Sequence, residues 1–210
     1  MKIIKAGFEV MDELNGSEIL KKIERCGRVC YKSEEKIDDG TAEKFVAGII
    51  KRGHESVLEH VSFTVRFIVD RGVSHELVRH RIASFSQEST RYCNYGNDDD
   101  GGCTFIAPSA LHYHVGSGEF YLWEEMCQQA ERIYKDLLDN GSTPQQARSV
   151  LPNSLKTEVV MTCNLREWRH FFKLRTADAA HPQMREVARP LLEYLKTQIP
   201  VVFDGITWGQ

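Results

Sequence analysis

Three features of the sequence predict an α+β fold in which a mainly antiparallel sheet is flanked by helices. Val61, Phe63, Val65, Phe67 and Val69 alternate with Ser62, Thr64 and Arg66, the period-two pattern of a half-buried strand. Thr157, Val159, Met161 and Cys163 repeat that pattern late in the chain. Apolar stripes of helical period surround these strands, the longest running from Trp123 to Leu138. No internal repeat, low-complexity tract or linker interrupts the 210 residues, so residues 1–210 are assigned to a single domain. An apolar content of 41% is enough to fill its core.

Taken in order, residues 2–10 read as a first strand, and Ser17 then caps a helix with the stripe Ile19, Leu20, Ile23, Cys26 and Cys30. Residues 32–39 form a solvated, charged connector. A second helix starts at Thr41, runs through Ala42, Phe45, Val46, Ile49 and Ile50, and stops at Gly53, leaving His54, Glu55 and Ser56 on the next turn. The strand of residues 60–70 leads into a short helix from Arg71, on which Val73, Leu77 and Val78 share a face and Arg79 and His80 occupy the last turn. Residues 94–102, with Asp98, Asp99, Asp100 and two glycines, read as an exposed loop without the spaced carboxylates and distal Glu of a calcium site. His112 and His114 flank Tyr113 in an irregular segment that offers no further metal ligands.

Gly116-Ser117 opens the longest helix, whose stripe is Trp123, Met126, Cys127, Ala130, Ile133, Tyr134, Leu137 and Leu138, ending at Gly141. Thr143, Pro144 and Gln146 supply a cap, a first-turn proline and a capping-box partner for a short helix that carries Arg148 and ends before Pro152. Asn164 and Glu167 open another helix with Trp168, Phe171 and Phe172 on its apolar side. Arg175 falls on that same side, where a guanidinium must find an anion or several acceptors; Asp178 is one available partner. A last helix, entered through His181-Pro182, carries Met184, Val187, Leu191, Leu192 and Leu195 and is kinked or interrupted at Pro190.

The net charge of −3 argues against general nucleic-acid binding, which calls for a basic domain. No apolar run approaches the roughly 18 residues that span a bilayer, and Met1-Lys2-Ile3-Ile4-Lys5 lacks the apolar core of a signal peptide. A cytoplasmic protein with no membrane partner is expected. Six cysteines form no Cys-x-x-Cys pair and read as reduced, small apolar residues rather than zinc ligands.

The densest chemistry lies in residues 79–92, Arg-His-Arg-Ile-Ala-Ser-Phe-Ser-Gln-Glu-Ser-Thr-Arg-Tyr, where three arginines face a single carboxylate among serines, a threonine and a glutamine. This composition suits an anion. Successive helical residues lie about 100° apart, so Arg79 and Arg81 point to nearly opposite sides of His80 and serve two ligands or two subunits. A solvated basic helix end is the plain structural alternative.

Arg79-His80-Arg81, seven residues, then Ser89, with Arg91 beyond it, resembles the signature of the flavin-dependent thymidylate synthases, the ThyX family. Further segments agree with that family in order: Gly53-His54-Glu55-Ser56 with Glu59-His60, Ala147-Arg148 with Val150-Leu151-Pro152, Asn164-Leu165-Arg166, and Leu174-Arg175. The resemblance implies a ThyX-like fold and a homotetramer with active sites shared between subunits. The reaction it implies is methylation of dUMP to dTMP, with 5,10-methylenetetrahydrofolate as carbon donor and FAD, reduced by NADPH, as hydride source. No cysteine attacks the pyrimidine in that family.

Carried over by position, Glu76, Arg79, Gln87, Glu88, Ser89, Thr90, Arg91, Arg148 and Arg175 would bind dUMP, Arg148 coming from a neighbouring subunit and Arg175 activating the uracil. Ser56, Arg79, His80, Arg81, Gln87, Asn164, Arg166 and His170 would bind FAD, and His54 would assist the folate; no metal is implied. Three positions depart from the family pattern: Glu76 stands where Gln is frequent, Gln87 where Glu is frequent, and His170 where Asn is frequent. Glu76 would then orient Arg79, three residues on, rather than touch a phosphate. Two rival readings stay open: a nucleotide- or RNA-binding module that stacks bases on Phe85, Tyr92 and Tyr95, and a thymidylate synthase with a nucleophilic thiol.

Overall fold

The computed structural model describes residues 1–96, 102–109 and 114–208, and the fold is α+β. Asp98, Asp99, Asp100, His112 and Tyr113 lie outside the described residues. The chain divides into two compact units: residues Met1–Phe8, Arg66–Arg79 and Phe85–Val160 form the first, and Glu9–Val65, His80–Ser84 and Met161–Gln210 the second. The longest strands are β3 (Ser62–Asp70) and β6 (Lys156–Asn164). Their side chains alternate as predicted, with Phe63, Val65, Phe67 and Val69 buried on one strand and Thr157, Val159, Met161 and Cys163 on the other. The two run antiparallel: the Leu165 N–H meets the Val61 carbonyl at one end (2.9 Å) and the Arg71 N–H the Leu155 carbonyl at the other (3.2 Å).

The predicted first strand is two. β1 (Lys2–Ile4) pairs in parallel with β5 (Thr104–Ile106), while β2 (Gly7–Val10) joins a four-stranded sheet of order β2-β3-β6-β4, with β4 at Ser84–Gln87. Lys5 and Ala6 are where the chain changes sheets, a choice of partner that no local pattern encodes.

In the first unit, helix α3 (Arg71–Leu77) is capped by Asp70, whose carboxylate accepts the Val73 N–H at 2.8 Å. Helix α4 (Gly118–Asp139) is capped by Ser117 and buries Ala130, with Cys127 and Tyr134 packed in one cluster with Cys103, Phe105, Ala147 and Leu155. Met126, assigned to its buried stripe, is 39% exposed. Helix α5 (Pro144–Ala147) has the predicted capping box, with the Thr143 N–H on Gln146 Oε1 at 2.9 Å, and Arg148 follows as its C-cap.

In the second unit, helix α1 (Gly16–Val29) is capped by Asn15 rather than Ser17, because Asn15 Oδ1 is the acceptor that reaches the Glu18 N–H (3.2 Å). Its buried seam is Leu20, Ile23, Glu24 and Gly27, whereas Cys26 is half-buried and Cys30 is exposed. Two facts rotate the seam away from the cysteines. Buried Glu24 is satisfied by Arg28 Nη2 (2.7 Å) and the Thr41 hydroxyl (2.9 Å), and a Cβ at Gly27 would sit 2.5 Å from Phe45 Cζ.

Helix α2 (Thr41–Lys51) ends as predicted, with Gly53 at φ +73°. Helix α6 (Leu165–Arg175) is capped by Asn164, which accepts the Glu167 N–H at 2.9 Å. Its Trp168 stacks on Phe63 with centroids 4.9 Å apart, and Phe172 meets Phe203 edge-on. Helix α7 (Pro182–Gln198) runs through Pro190 without interruption. Among the described residues no helix is long and apolar enough to cross a membrane.

Candidate active site

The residues matched to the nucleotide fall, apart from Arg175, in the first unit. Helix α3 ends earlier than predicted, because the Val78 and Arg79 N–H groups turn back onto the Ser74 and Glu76 carbonyls; Arg79 therefore lies just past the helix, exposed. The Gln87 amide at the end of β4 donates to Ser74 Oγ (3.0 Å) and Thr157 Oγ1 (3.3 Å). Glu88 is fully engaged. Its Oε1 accepts the Tyr95 hydroxyl at 2.7 Å, and its Oε2 accepts Lys156 Nζ (2.9 Å) and the Glu158 N–H (3.1 Å). Burial, reinforced by that carboxylate, pushes the Tyr95 phenol far above its usual range and keeps it a donor.

The Ser89 carbonyl closes the following turn by accepting the Tyr92 (3.2 Å) and Cys93 (2.9 Å) N–H groups. Helix α5 and its C-cap meet this turn at two guanidinium contacts. Gln145 Oε1 accepts Arg91 Nε at 3.0 Å, and Arg148 Nη1 donates to the buried Thr90 hydroxyl at 3.1 Å. Two arginines with hydroxyls and N–H groups on one tight turn can hold a phosphate dianion.

In the second unit, α6 supplies a continuous polar chain. His80, 4% exposed, places Nδ1 3.0 Å from Oε1 of buried Glu167 and accepts Arg175 Nε on its Nε2 at 3.1 Å. Arginine has no acceptor, so His80 Nε2 must be bare and Nδ1 carries the proton donated to Glu167. Desolvation first, with Arg175 adding to it, lowers the His80 pKa against the opposing pull of Glu167, in keeping with a neutral ring. Phe171 packs edge-on against the ring, with centroids 5.0 Å apart. Asp178, the other partner considered for Arg175, pairs with Arg185 and Arg189.

Glu167 also lines a cleft of about 470 Å³ with Asn164, Arg166, His170, Ile82, Glu55, Glu59 and Lys173. Arg166 pairs with Glu59 at 2.6 Å. Ser56 and His54 are exposed on the neighbouring turn, where the Tyr31 hydroxyl lies 3.4 Å from His54 Nδ1. His80, Glu167 and His170 bring ligand-type atoms within 4.8 Å of one another, and the Arg175 guanidinium on His80 is a fixed positive charge beside them that opposes a cation.

The sequence profile of the family described as "Thymidylate synthase complementing protein" matches residues 10–201. The chain belongs to the flavin-dependent thymidylate synthase family. The flavin-dependent thymidylate synthase of Geobacter sulfurreducens is 36% identical over 183 residues, 84% of this chain and 77% of that protein. That of Pyrococcus furiosus is 37% identical over 171 residues, 80% of this chain and 68% of its own length. Among solved structures, the UMP/dUMP methylase PolB of Streptomyces cacaoi, bound with 5-Br dUMP, superposes with a TM-score of 0.80 at 25% identity, covering 97% of this chain and 96% of that one.

As a member of the flavin-dependent thymidylate synthase family, the protein is an enzyme, and its buried thiols are poor nucleophiles: burial pushes Cys103 and Cys127 up to about 12 and Cys163 also upward. Three polar residues beyond the family pattern belong to the two clusters. Tyr95 and Lys156 hold Glu88, and Glu167 holds His80. The sequence signal for Glu167 is its place three residues after Asn164, which marks a helix start and says nothing of His80. Arg71 is a further case: its Nη1 is buried without an acceptor, a donor that a ligand oxygen would satisfy.

Proposed function

We propose that the protein methylates dUMP at carbon 5 to give dTMP, with 5,10-methylenetetrahydrofolate supplying the carbon and NADPH reducing an FAD cofactor. The methylene and a hydride equivalent are added, and the hydrogen on carbon 5 leaves as a proton. The observation that carries this reading is the family match from residue 10 to residue 201, supported by the likeness to a dUMP methylase.

In this reading the turn of Ser89, Thr90 and Arg91, with Arg148, Arg79 and Arg71, holds the nucleotide phosphate. Gln87 and Glu88 brace that turn through the contacts they already make. Glu76 sits at the carbonyl that seats Arg79 and orients it. Arg175 faces the pyrimidine and stabilises the negative charge that develops as N3 loses its proton, which makes carbon 5 the nucleophile.

The chemistry of the cleft in the second unit fits a flavin. Its volume falls within the roughly 300–1,000 Å³ of ligand sites, Ile82 and His170 offer flat or apolar contact, and Asn164, Arg166 and Lys173 offer donors. With Ser56, His80 and Arg81 these residues would hold FAD, which supplies the hydride when reduced. His54 assists the folate from the adjacent turn. The assembly is a cytoplasmic homotetramer with active sites shared between chains.

The test is release of tritium from [5-³H]dUMP with methylenetetrahydrofolate and NADPH, with and without FAD, from an anaerobic start. FAD-dependent release is expected; release indifferent to FAD would overturn the assignment.

A further inference from the structure

Deepening that reading, and resting on its role for Arg175, we infer that Glu167 is a positioning residue for the reaction: by holding His80 in the Nδ1–H tautomer it presents a bare Nε2 to Arg175 and fixes the guanidinium that activates the pyrimidine. Glu167 stands on the first turn of α6 and Arg175 at its end, too far apart to meet directly, and the buried ring of His80 bridges them through contacts of 3.0 and 3.1 Å. Such an arrangement is directional. The Nε–H of arginine can only donate, so it accepts one of the two neutral tautomers of His80 and rejects the other, as well as the imidazolium.

An arginine that must stabilise charge on a flat ring needs its own plane set, and anchoring Nε sets that plane. Packing alone does not choose the tautomer: Phe171 contacts the ring edge-on and offers neither donor nor acceptor, and the His170 ring, also edge-on with centroids 5.8 Å apart, stands outside the two hydrogen bonds of His80 to Glu167 and Arg175. Glu167 does choose it: a carboxylate accepts from Nδ1–H and has nothing to donate. Glu167 also lines the flavin-sized cleft, so this carboxylate ties the cleft wall to the arginine across one imidazole.

Glu167→Gln keeps the shape but replaces a partner that can only accept with an amide that can also donate, and where its N–H faces Nδ1 the Nε2–H tautomer is favoured and turns two donors toward each other. The measurement is nitrogen-15 NMR of FAD-loaded protein labelled at histidine, with the His80 signals assigned by their loss in His80→Gln. In the wild type, Nδ1 should be protonated and Nε2 bare, and Glu167→Gln should shift the ring toward protonated Nε2. Single-turnover oxidation of the reduced flavin with dUMP and methylenetetrahydrofolate should slow on the order of ten- to a hundredfold, the scale on which partners that orient a histidine act, with dUMP affinity within about threefold. Glu167→Asp should recover the tautomer. In a His80→Gln background, Glu167→Gln should add little, because its effect passes through His80.

A tautomer unmoved by Glu167→Gln, or a tautomer that shifts while the single-turnover rate does not, overturns the role of Glu167. Wild-type protein that releases no tritium instead overturns the reaction assigned above, and the NMR measurement, which needs no turnover, separates the two failures.

Discussion

Ser89 stands at the fixed serine of the motif and invites a reading as a nucleophile, which its surroundings oppose. A serine nucleophile needs an adjacent base, and the nearest carboxylate in sequence, Glu88, already accepts three donors. The Ser89 hydroxyl accepts the Arg91 N–H at 3.3 Å, as befits a residue that shapes a phosphate-binding turn. Ser89→Ala should therefore weaken dUMP binding more than it lowers turnover at saturating dUMP; equilibrium binding compared with kcat decides, and lost turnover with unchanged binding would refute the role. Arg175 makes a sharper case. Lysine keeps the charge but lacks the Nε–H on His80 and the planar fork, so Arg175→Lys should bind dUMP within roughly tenfold of wild type and lose on the order of a hundredfold or more in rate. Wild-type flavin oxidation in single turnover would leave Arg175 a binding residue only. The motif residues could be located in the sequence because arginines, hydroxyls and a histidine stand close together there. The jobs of Glu88 and Glu167 could not be read, since each depends on partners 68–87 residues away.

At the scale of elements, legibility followed periodicity. β3, β6 and α6 were predicted nearly as found, because alternation and a capping Asn-x-x-Glu are local signals. β4 and β5, at four and three residues, are too short to show a period and were missed. The α1 seam was misread because a satisfied Glu24 and a small Gly27 do the work that hydropathy assigns to cysteines. The start of helix α3 was placed correctly, but its end was set too late and its cap was not recognised. Asp70 is 5% exposed and accepts the Val73 N–H at 2.8 Å, so it closes the first turn of the helix that leads to Arg79. With only seven residues, α3 has little propagation energy to offset a frayed start. Asp70→Ala should cost about 1–2 kcal/mol, at the upper end for a lost cap because the site is buried. A urea denaturation midpoint indistinguishable from wild type would show that the cap contributes nothing.

At the scale of the whole molecule, the proposed homotetramer has a physical counterpart on α4. The inner side of this helix is core, but Leu122 (69% exposed) and Met126, four residues apart, present apolar groups outward with Tyr121 beside Leu122, and exposed Val115 (84%) lies on the turn just before the helix. Scattered exposed leucines are ordinary, whereas an apolar row along one helix is the surface a stable partner covers. A second copy of the chain is the occupant that the proposed assembly supplies, and in a symmetric interface the same row recurs on each subunit, so one substitution acts on every copy. Leu122 lies near the middle of the row, and a lysine there would bury an unpaired ammonium at each contact, costing several kcal/mol per site. Leu122→Lys should leave the chain folded, with an unchanged far-ultraviolet circular dichroism spectrum, because the position is exposed in the single chain. Light scattering coupled to gel filtration should then find dimers or monomers in place of the tetramer proposed for the wild type. Persistence of the tetramer would move the interface off α4, and a monomeric wild type would end the proposal of active sites shared between chains.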